Sequence, residues 1–397
     1  MKFNQFSKFK YLCEKKKKHA TKVLKLNSNG GEIKLDPWGY SQIADYEKLF
    51  SLFGIRPFKE LLPKIKNPNH LMRRGVIFGH RDFDQVLNAL ERGEKVALLT
   101  GFMPSGKLHF GHKMLMDQII YYQSIGVDII LAIADIEAYA VRRMERKELI
   151  RIALEEYIAN ALALGLQKKN LRIYFQSNME APYYRLVGMF SQKVTAAEFS
   201  AIYGEISPAK VIAVLHQAAD ILHPMLEEYG GYKHVFVPVG ADQDPHLRFT
   251  RDIADRFSGE LDLRRPASTY HRFMTGLDGG KMSSSRPESA IFLSDPLEVS
   301  ASKLMKAITG GRATVEEQRR LGGEPEKCSI YEMYLYHLLP NDGDLLDIYT
   351  RCRQGKLLCG EDKKMAVEKM IKWLEEHQRK LEKAKNEAEK LVDVPRF

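Results

Sequence analysis

Lys95-Val96-Ala97-Leu98-Leu99-Thr100-Gly101-Phe102-Met103-Pro104-Ser105-Gly106-Lys107-Leu108-His109-Phe110-Gly111-His112 is the stretch whose reading decides the fold. Lys95 to Thr100 is a short apolar run with strand character, and Gly101 to Leu108 is a turn bearing glycine and proline. From His109 to Ser124 the pattern is helical, and Val127 to Asp135 reads as a second apolar strand. Strand, turn, helix and strand in that order form a βαβ unit of Rossmann type.

The same rhythm continues outward. A helix with apolar positions at Leu149, Ile152, Ala153 and Ile158 precedes a strand at Leu171 to Phe175. A further strand at Val235 to Val239 leads into Gly240 and the helix after Pro245. Alternating strands and helices imply an α/β fold, a parallel sheet covered on both faces. Beyond about Asp295 the strands fade and the chain reads as charged and helical to its end, as in Met370 to Leu391. Upstream, Gly31 to about Arg92 mixes short helical patterns with Pro37, Pro57, Pro63 and Pro68 and reads as an irregular appendage. The expected division is a basic arm and appendage over 1–92, a Rossmann catalytic domain over 93–295 and a helical domain over 296–397.

Bulk composition sets the outer bounds. With 397 residues, 44% of them apolar, the chain can bury a large core. Its most apolar stretch, Val127 to Val141, is interrupted by Asp128, Asp135 and Glu137, so no membrane span is expected. The N-terminal lysines are not followed by the apolar segment of a secretory signal, and a cytoplasmic location is expected. Cys13, Cys328, Cys352 and Cys359 lack the paired spacing of a zinc site and read as free thiols. The net charge of +10 is concentrated in residues 1–30, where nine lysines face the single acid Glu14. Such an arm is either a solvated tail or a contact for a polyanion.

Two separated motifs carry chemistry. The first is the turn from Gly101 to His112, at the carboxyl end of a strand where an open parallel sheet binds nucleotides. The helix that starts there offers unpaired N–H groups and a positive dipole end to phosphate. Gly101 to Lys107 has the spacing of a P-loop, but Leu108 replaces the hydroxyl residue that would hold magnesium. Instead His109 and His112 lie three apart on the first helical turn, on one face, with Gly111 leaving room for a flat ring. No third ligand sits at zinc spacing. The second motif is Lys281-Met282-Ser283-Ser284-Ser285, between Asp278-Gly279-Gly280 and Arg286-Pro287. A mobile cationic loop of this kind can close over a triphosphate and meet the charge that builds up as pyrophosphate leaves. Each motif alone has an ordinary structural reading, as polar residues at a helix start or as a serine-rich surface loop.

As a pair, in this order and context, they resemble the HIGH and KMSKS signatures of the class I aminoacyl-tRNA synthetases. The resemblance extends from Asp45-Tyr46-Glu47-Lys48-Leu49 through Arg73-Arg74-Gly75 and His80-Arg81-Asp82 to Gly310-Gly311-Arg312 and Glu376-His377-Gln378. Those segments look like the archaeal and eukaryotic tryptophan branch of the family. The resemblance implies catalytic roles for His109, His112, Lys281, Ser283 and Ser285. It further implies ATP contacts from Pro104, Ser105, Gly106, Gly111, Met282 and Ser284, with magnesium carried by the nucleotide. Glu137 would pair with the substrate ammonium, and Gln217 would meet the amino acid backbone.

The choice of amino acid turns on Asp220, Leu99 and Gln243. Indole N–H only donates, so an ionised acceptor in an otherwise apolar slot suits tryptophan, and Asp220 is expected to supply it. An aspartate within the largely apolar Val211 to Leu222 stretch is also costly to bury without a partner. Tyrosine enzymes usually place a tyrosine hydroxyl at the position of Leu99, and a leucine cannot hydrogen-bond a phenol. Eukaryotic tryptophan enzymes carry a tyrosine there and a glutamine at the position of Ala132, both apolar here. The Ala-Ala-Asp-Ile-Leu run ending at Leu222 instead resembles the bacterial tryptophan enzymes, which implies Asp220 as the reader of the indole, with eukaryotic-style recognition through Gln243 as the alternative. A tyrosine enzyme, or a non-catalytic synthetase-like binder of RNA or tryptophan, are the rival readings. The family also implies a homodimer and a tRNA for tryptophan as partners, with Arg351, Arg353, Lys356 and Lys372 facing the RNA.

Overall fold

The computed structural model describes residue 46 and residues 48–204 and 206–395. The lysine-rich arm, Cys13, and the Asp45 and Glu47 of the resemblance lie outside the described residues. Seven strands form one sheet: β1 Arg56–Pro57, β2 Ile77–Arg81, β3 Val96–Phe102, β4 Asp128–Ile133, β5 Leu171–Phe175, β6 His234–Gly240 and β7 Ala267–His271. Their order across the sheet is β1-β2-β7-β6-β3-β4-β5. From β7 to β5 all neighbours are parallel, whereas β1 pairs with β2, and β2 with β7, antiparallel. The expected parallel sheet is therefore mixed at one edge.

The principal helices are α1 Phe83–Glu91, α2 Phe110–Ser124, α3 Asp135–Arg142, α4 Pro208–Leu222, α5 Asp244–Arg256 and α6 Cys359–Ala388. Apart from the buried Thr100, strands β3 and β4 are apolar along their buried length because both faces are covered. On one side the rings of Phe83 on α1, Tyr122 on α2 and Phe236 on β6 meet edge to face, with Phe236 at 5.0 and 4.9 Å from the other two. The winding of the sheet reverses between β3 and β6, parallel neighbours whose successors β4 and β7 lie on opposite sides. That crevice is the topological switch point where such sheets take ligands.

The irregular appendage expected over Gly31 to Arg92 is, in its described part, woven into the sheet. Arg56 and Pro57 pair with His80 and Gly79. Gly79 has to be glycine, since a Cβ there would stand 2.4 Å from a methyl of Ile55. Arg81 donates to Asp244 at 2.8 Å and Arg251 to Asp82 at 2.6 Å, tying this edge to α5. The C-terminal helices are equally bound in. Leu381, Ala384 and Ala388 of α6 share one core with Ala153, Ile158, Ala159, Ala163 and Phe175. Small residues on both sides let the helices approach closely.

Candidate active site

The first motif is a helix cap built from two imidazoles. His109, 5% exposed, is the N-cap of α2, and its Nδ1 accepts from the Gly111 N–H at 3.1 Å. His112 Nδ1 in turn accepts from the His109 N–H at 3.3 Å. The rings stack with centroids 3.9 Å apart and planes inclined by 24°. The flat ring for which Gly111 leaves room is that of His109, because a Cβ at Gly111 would lie 2.9 Å from His109 Cε1. Burial first, then the neighbouring His112 and Lys281, hold the His109 imidazole well below its ordinary pKa. Burial and Lys281 take His112 down to about 4. Both rings are thus neutral, and since each Nδ1 accepts, each proton sits on Nε2. The pair offers two uncharged N–H donors beside a helix N-terminus, a combination suited to phosphate oxygens.

The second motif folds down onto the first. Ser284 Oγ donates to the Lys107 carbonyl at 3.3 Å, and the buried Met282 bonds through its N–H to the Met274 carbonyl at 3.0 Å. Ser283 and Ser285 hydroxyls lie 3.0 Å apart. Lys281 Nζ is 3.0 Å from Asp242 Oδ2 and 3.9 Å from the centre of the Phe273 ring. Asp242 lies in the turn just after β6, at the carboxyl end of a strand that borders the switch point. Burial raises the Asp242 carboxyl and Lys281 opposes the rise. Gln243, the next residue, is half-buried.

Asp220 of α4, expected at the amino acid end, is 4% exposed. Here the expectation of an apolar slot fails. Tyr174 and Tyr183 hydroxyls each donate to Asp220 Oδ1 at 2.7 Å, and Gln176 Nε2 donates to Oδ2 at 2.7 Å. A carboxylate cannot be buried without donors, and these three residues supply them. Burial still dominates, pushing the Asp220 carboxyl up to about 7 against the three hydrogen bonds, with the negative charge of Glu137 adding to the rise. Glu137 lies in the first turn of α3, which packs on α4, as does α5 beyond Gln243. Gln217 precedes Asp220 by three residues on α4 and is half-buried. Leu99 is buried in β3.

Several neighbours of the site were not anticipated: Tyr174, Gln176, Tyr183, Asp242, Phe273, Glu156 and Tyr157. Asp242 stands between Gly240 and Gln243, both named from the sequence, and its place after a strand was the available signal. Glu156 and Tyr157 sit in a single π-helical turn, Ala153–Ile158. Glu156 accepts from the Ser294 hydroxyl at 3.0 Å and the Leu108 N–H at 3.4 Å, while the Tyr157 ring lies 5.9 Å from His112. Among the described residues no cluster of His, Cys, Asp or Glu could hold a metal ion, and no helix is long and apolar enough to cross a membrane.

The family model of the class I tRNA synthetases for tryptophan and tyrosine matches residues 91–375, which hold both motifs and Asp220. The chain belongs to this family. This synthetase is 63% identical to the tryptophan–tRNA ligase of Aeropyrum pernix over 92% of its own length and 99% of the relative's. To the tryptophan–tRNA ligase of Hyperthermus butylicus it is 62% identical, again over 92% of this chain and 99% of the other. The crystal structure of the Aeropyrum pernix tryptophanyl-tRNA synthetase superposes with a TM-score of 0.87, covering 91% of this chain and 100% of that one.

Proposed function

We propose that this synthetase is a tryptophan–tRNA ligase. It joins tryptophan to AMP with release of pyrophosphate and then passes the amino acid to its tRNA. The observation that carries the choice of substrate is Asp220. Its carboxylate has about four acceptor positions, three of them used, which leaves one for a group that only donates, as indole N–H does. Leu99 supports the same choice, offering an aliphatic surface for an indole ring to pack against and no hydroxyl. The 63% identity to the Aeropyrum ligase supports it further.

In the first step the tryptophan carboxylate attacks the α-phosphorus of ATP and the α–β bridging bond breaks. No covalent link to the protein is needed. Glu137 faces the substrate ammonium, and Gln217 its backbone. Pro104, Ser105, Gly106 and Gly111 shape the nucleotide side. His109 and His112 donate from Nε2 to phosphate oxygens, and Lys281 leaves Asp242 to meet the pyrophosphate charge, with Met282 to Ser285 closing over it. Magnesium is expected to arrive with the triphosphate. In the second step a terminal ribose hydroxyl of the tRNA attacks the acyl carbon and AMP leaves. Lys356 and Lys372 are exposed and Arg351 and Arg353 lie nearby on the C-terminal helices, where they are placed to meet RNA phosphates. A cytoplasmic homodimer completes the reading, checked by light scattering of the purified chain.

The test is amino-acid-dependent exchange of labelled pyrophosphate into ATP with tryptophan, tyrosine and phenylalanine in parallel. Exchange with tryptophan alone is expected. Exchange with tyrosine would mean that Leu99 was misread, and no exchange with any of the three would favour the non-catalytic binder.

A further inference from the structure

The first motif does not end at its histidines. Phe110, between His109 and Gly111, is completely buried, and its ring centre lies 5.2 Å from Trp373 on α6 and 5.1 Å from His337. Lys113, the residue after His112, is buried too, with Nζ 5.0 Å from the centre of the same indole. That ammonium is held at 2.7 Å by Asp117 and stands 3.5 Å from His337 Nδ1. Both residues flanking the histidine cap therefore rest on one side chain from the C-terminal helical region.

Trp373 is itself fixed from behind. The His377 ring stacks on it, 4.9 Å between centres and 8° between planes, and His377 Nε2 lies 2.7 Å from Asn160 Oδ1. Asn160 belongs to the helix that continues the π-turn carrying Glu156 and Tyr157. The contacts thus close a ring: Leu108 to Glu156, Asn160 to His377, Trp373 to Phe110 and Lys113.

Resting on the proposed function, we infer that Trp373 is a positioning residue for the chemical step. It acts through Phe110 and Lys113 to hold the amino end of α2, and with it the Nε2 donors of His109 and His112, at the place the phosphates occupy. Donors aimed at developing charge lose most of their effect when displaced by about 1 Å, with losses near a hundredfold. An indole is suited to the task, since it is large, rigid and able to face an ammonium with its π surface. Removing it leaves a void into which Phe110 can tilt, and the cap tilts with it.

The experiment compares Trp373→Ala and Trp373→Phe with Leu345→Ala, a cavity in the same region at a buried residue of helix Asp342–Arg353. Pyrophosphate exchange is measured in the full chain at temperatures equally far below each variant's Tm. Trp373→Ala is expected to lose about tenfold or more in kcat with KM for tryptophan within about twofold, Trp373→Phe to recover most of it, and Leu345→Ala to keep kcat within about twofold. Equal kcat losses in Trp373→Ala and Leu345→Ala would overturn the inference. A second readout does not depend on those variants folding. The chain has two tryptophans, so in Trp38→Phe the emission of Trp373 is the sole indole signal. Saturating ATP without tryptophan is expected to shift that emission, and an unchanged spectrum would also overturn the inference. Failure of the unmodified chain to exchange with tryptophan would instead strike at the substrate assignment.

Discussion

With Asp220 in its proposed role, tryptophan binding should depend on pH in a direction that can be worked out beforehand. Its carboxyl is pushed up to about 7 by burial, so at neutral pH it is about half protonated. Only the ionised form accepts well from indole N–H, and the substrate ammonium beside Glu137 adds to the preference for it. The apparent dissociation constant then scales as one plus the ratio of protonated to ionised carboxyl, which makes tryptophan roughly tenfold weaker at pH 6 than at pH 8. The neighbouring imidazoles do not confuse the window, since burial has lowered His216 to about 4 and His223 to about 3. Asp220→Asn removes the titration while keeping the shape. Its carbonyl can still accept from both tyrosines, and Gln176 can rotate its amide to present Oε1, an atom without a partner in the native arrangement. The variant should bind tryptophan weakly and with the same affinity at both pH values. Stability carries a matching sign. A carboxyl whose pKa is raised on folding stabilises the fold below the unfolded pKa near 4 and loses that contribution as pH rises through about 7. The loss is about 4 kcal/mol at most and about 1.4 kcal/mol between pH 6 and pH 8. Equilibrium tryptophan binding and urea midpoints at the two pH values, on both proteins, are the assay. Tryptophan affinity in the native chain that stays flat from pH 6 to pH 8 would refute the reasoning, because either the carboxyl titrates elsewhere or it does not touch the indole.

Lys281→Ala should lower the rate of tryptophan activation by about a hundredfold or more while tryptophan binding stays within about twofold, as equilibrium binding and single-turnover kinetics would show; comparable losses in both would count against its role in the transition state. Gly111→Ala places a methyl against the His109 ring at 2.9 Å, so the cap must break; a stability loss of about 1–2 kcal/mol in urea and a fall in exchange of about tenfold or more are expected, and a variant with native activity would contradict the cap assignment. Asp242→Asn releases Lys281 from its carboxylate and should lower KM for ATP by roughly fivefold, equivalent to about 1 kcal/mol, whereas a raised KM would show that Asp242 prepares the lysine instead of competing for it.

The parallel part of the sheet was legible because it is buried on both faces. Leu171 to Phe175 matches its strand to the residue, and the predicted helix from His109 begins one residue later because His109 is its cap. The other edge was not legible for equally physical reasons. β7 reads Ala-Ser-Thr-Tyr-His, without apolar alternation, yet every residue in it is buried. β2 contains Gly79 and His80, residues that weaken a strand pattern, and the first of them is dictated by Ile55, twenty-four positions earlier. At the site, the motif residues announced themselves by spacing along one turn of helix or loop. The donors to Asp220 did not, since Tyr174, Gln176 and Tyr183 are 37 to 46 residues away in sequence and meet it only through tertiary packing, Tyr174 from a strand and Tyr183 from a neighbouring helix. The π-turn at Ala153–Ile158 has no signature that periodicity can detect.

The electrostatics explain why such a site can stand ready without its nucleotide. Two charged histidines stacked at 3.9 Å would repel one another and the lysine nearby, so burial leaves them neutral, and as neutral rings they cap their own helix. The one full positive charge brought to the crevice by the second motif, Lys281, is matched by the buried Asp242. Asp242 is buried and Lys281 only partly so, and leaving that carboxylate unpaired is strongly destabilising, so the pair does not part without a replacement. A triphosphate supplies the replacement for lysine, and the raised carboxyl of Asp242 is already inclined to take a proton when lysine departs. On the proposed function, closure of the second motif would depend on the group it acts on, and the exchange of partners by Lys281 would be the step at which binding energy becomes available to the reaction.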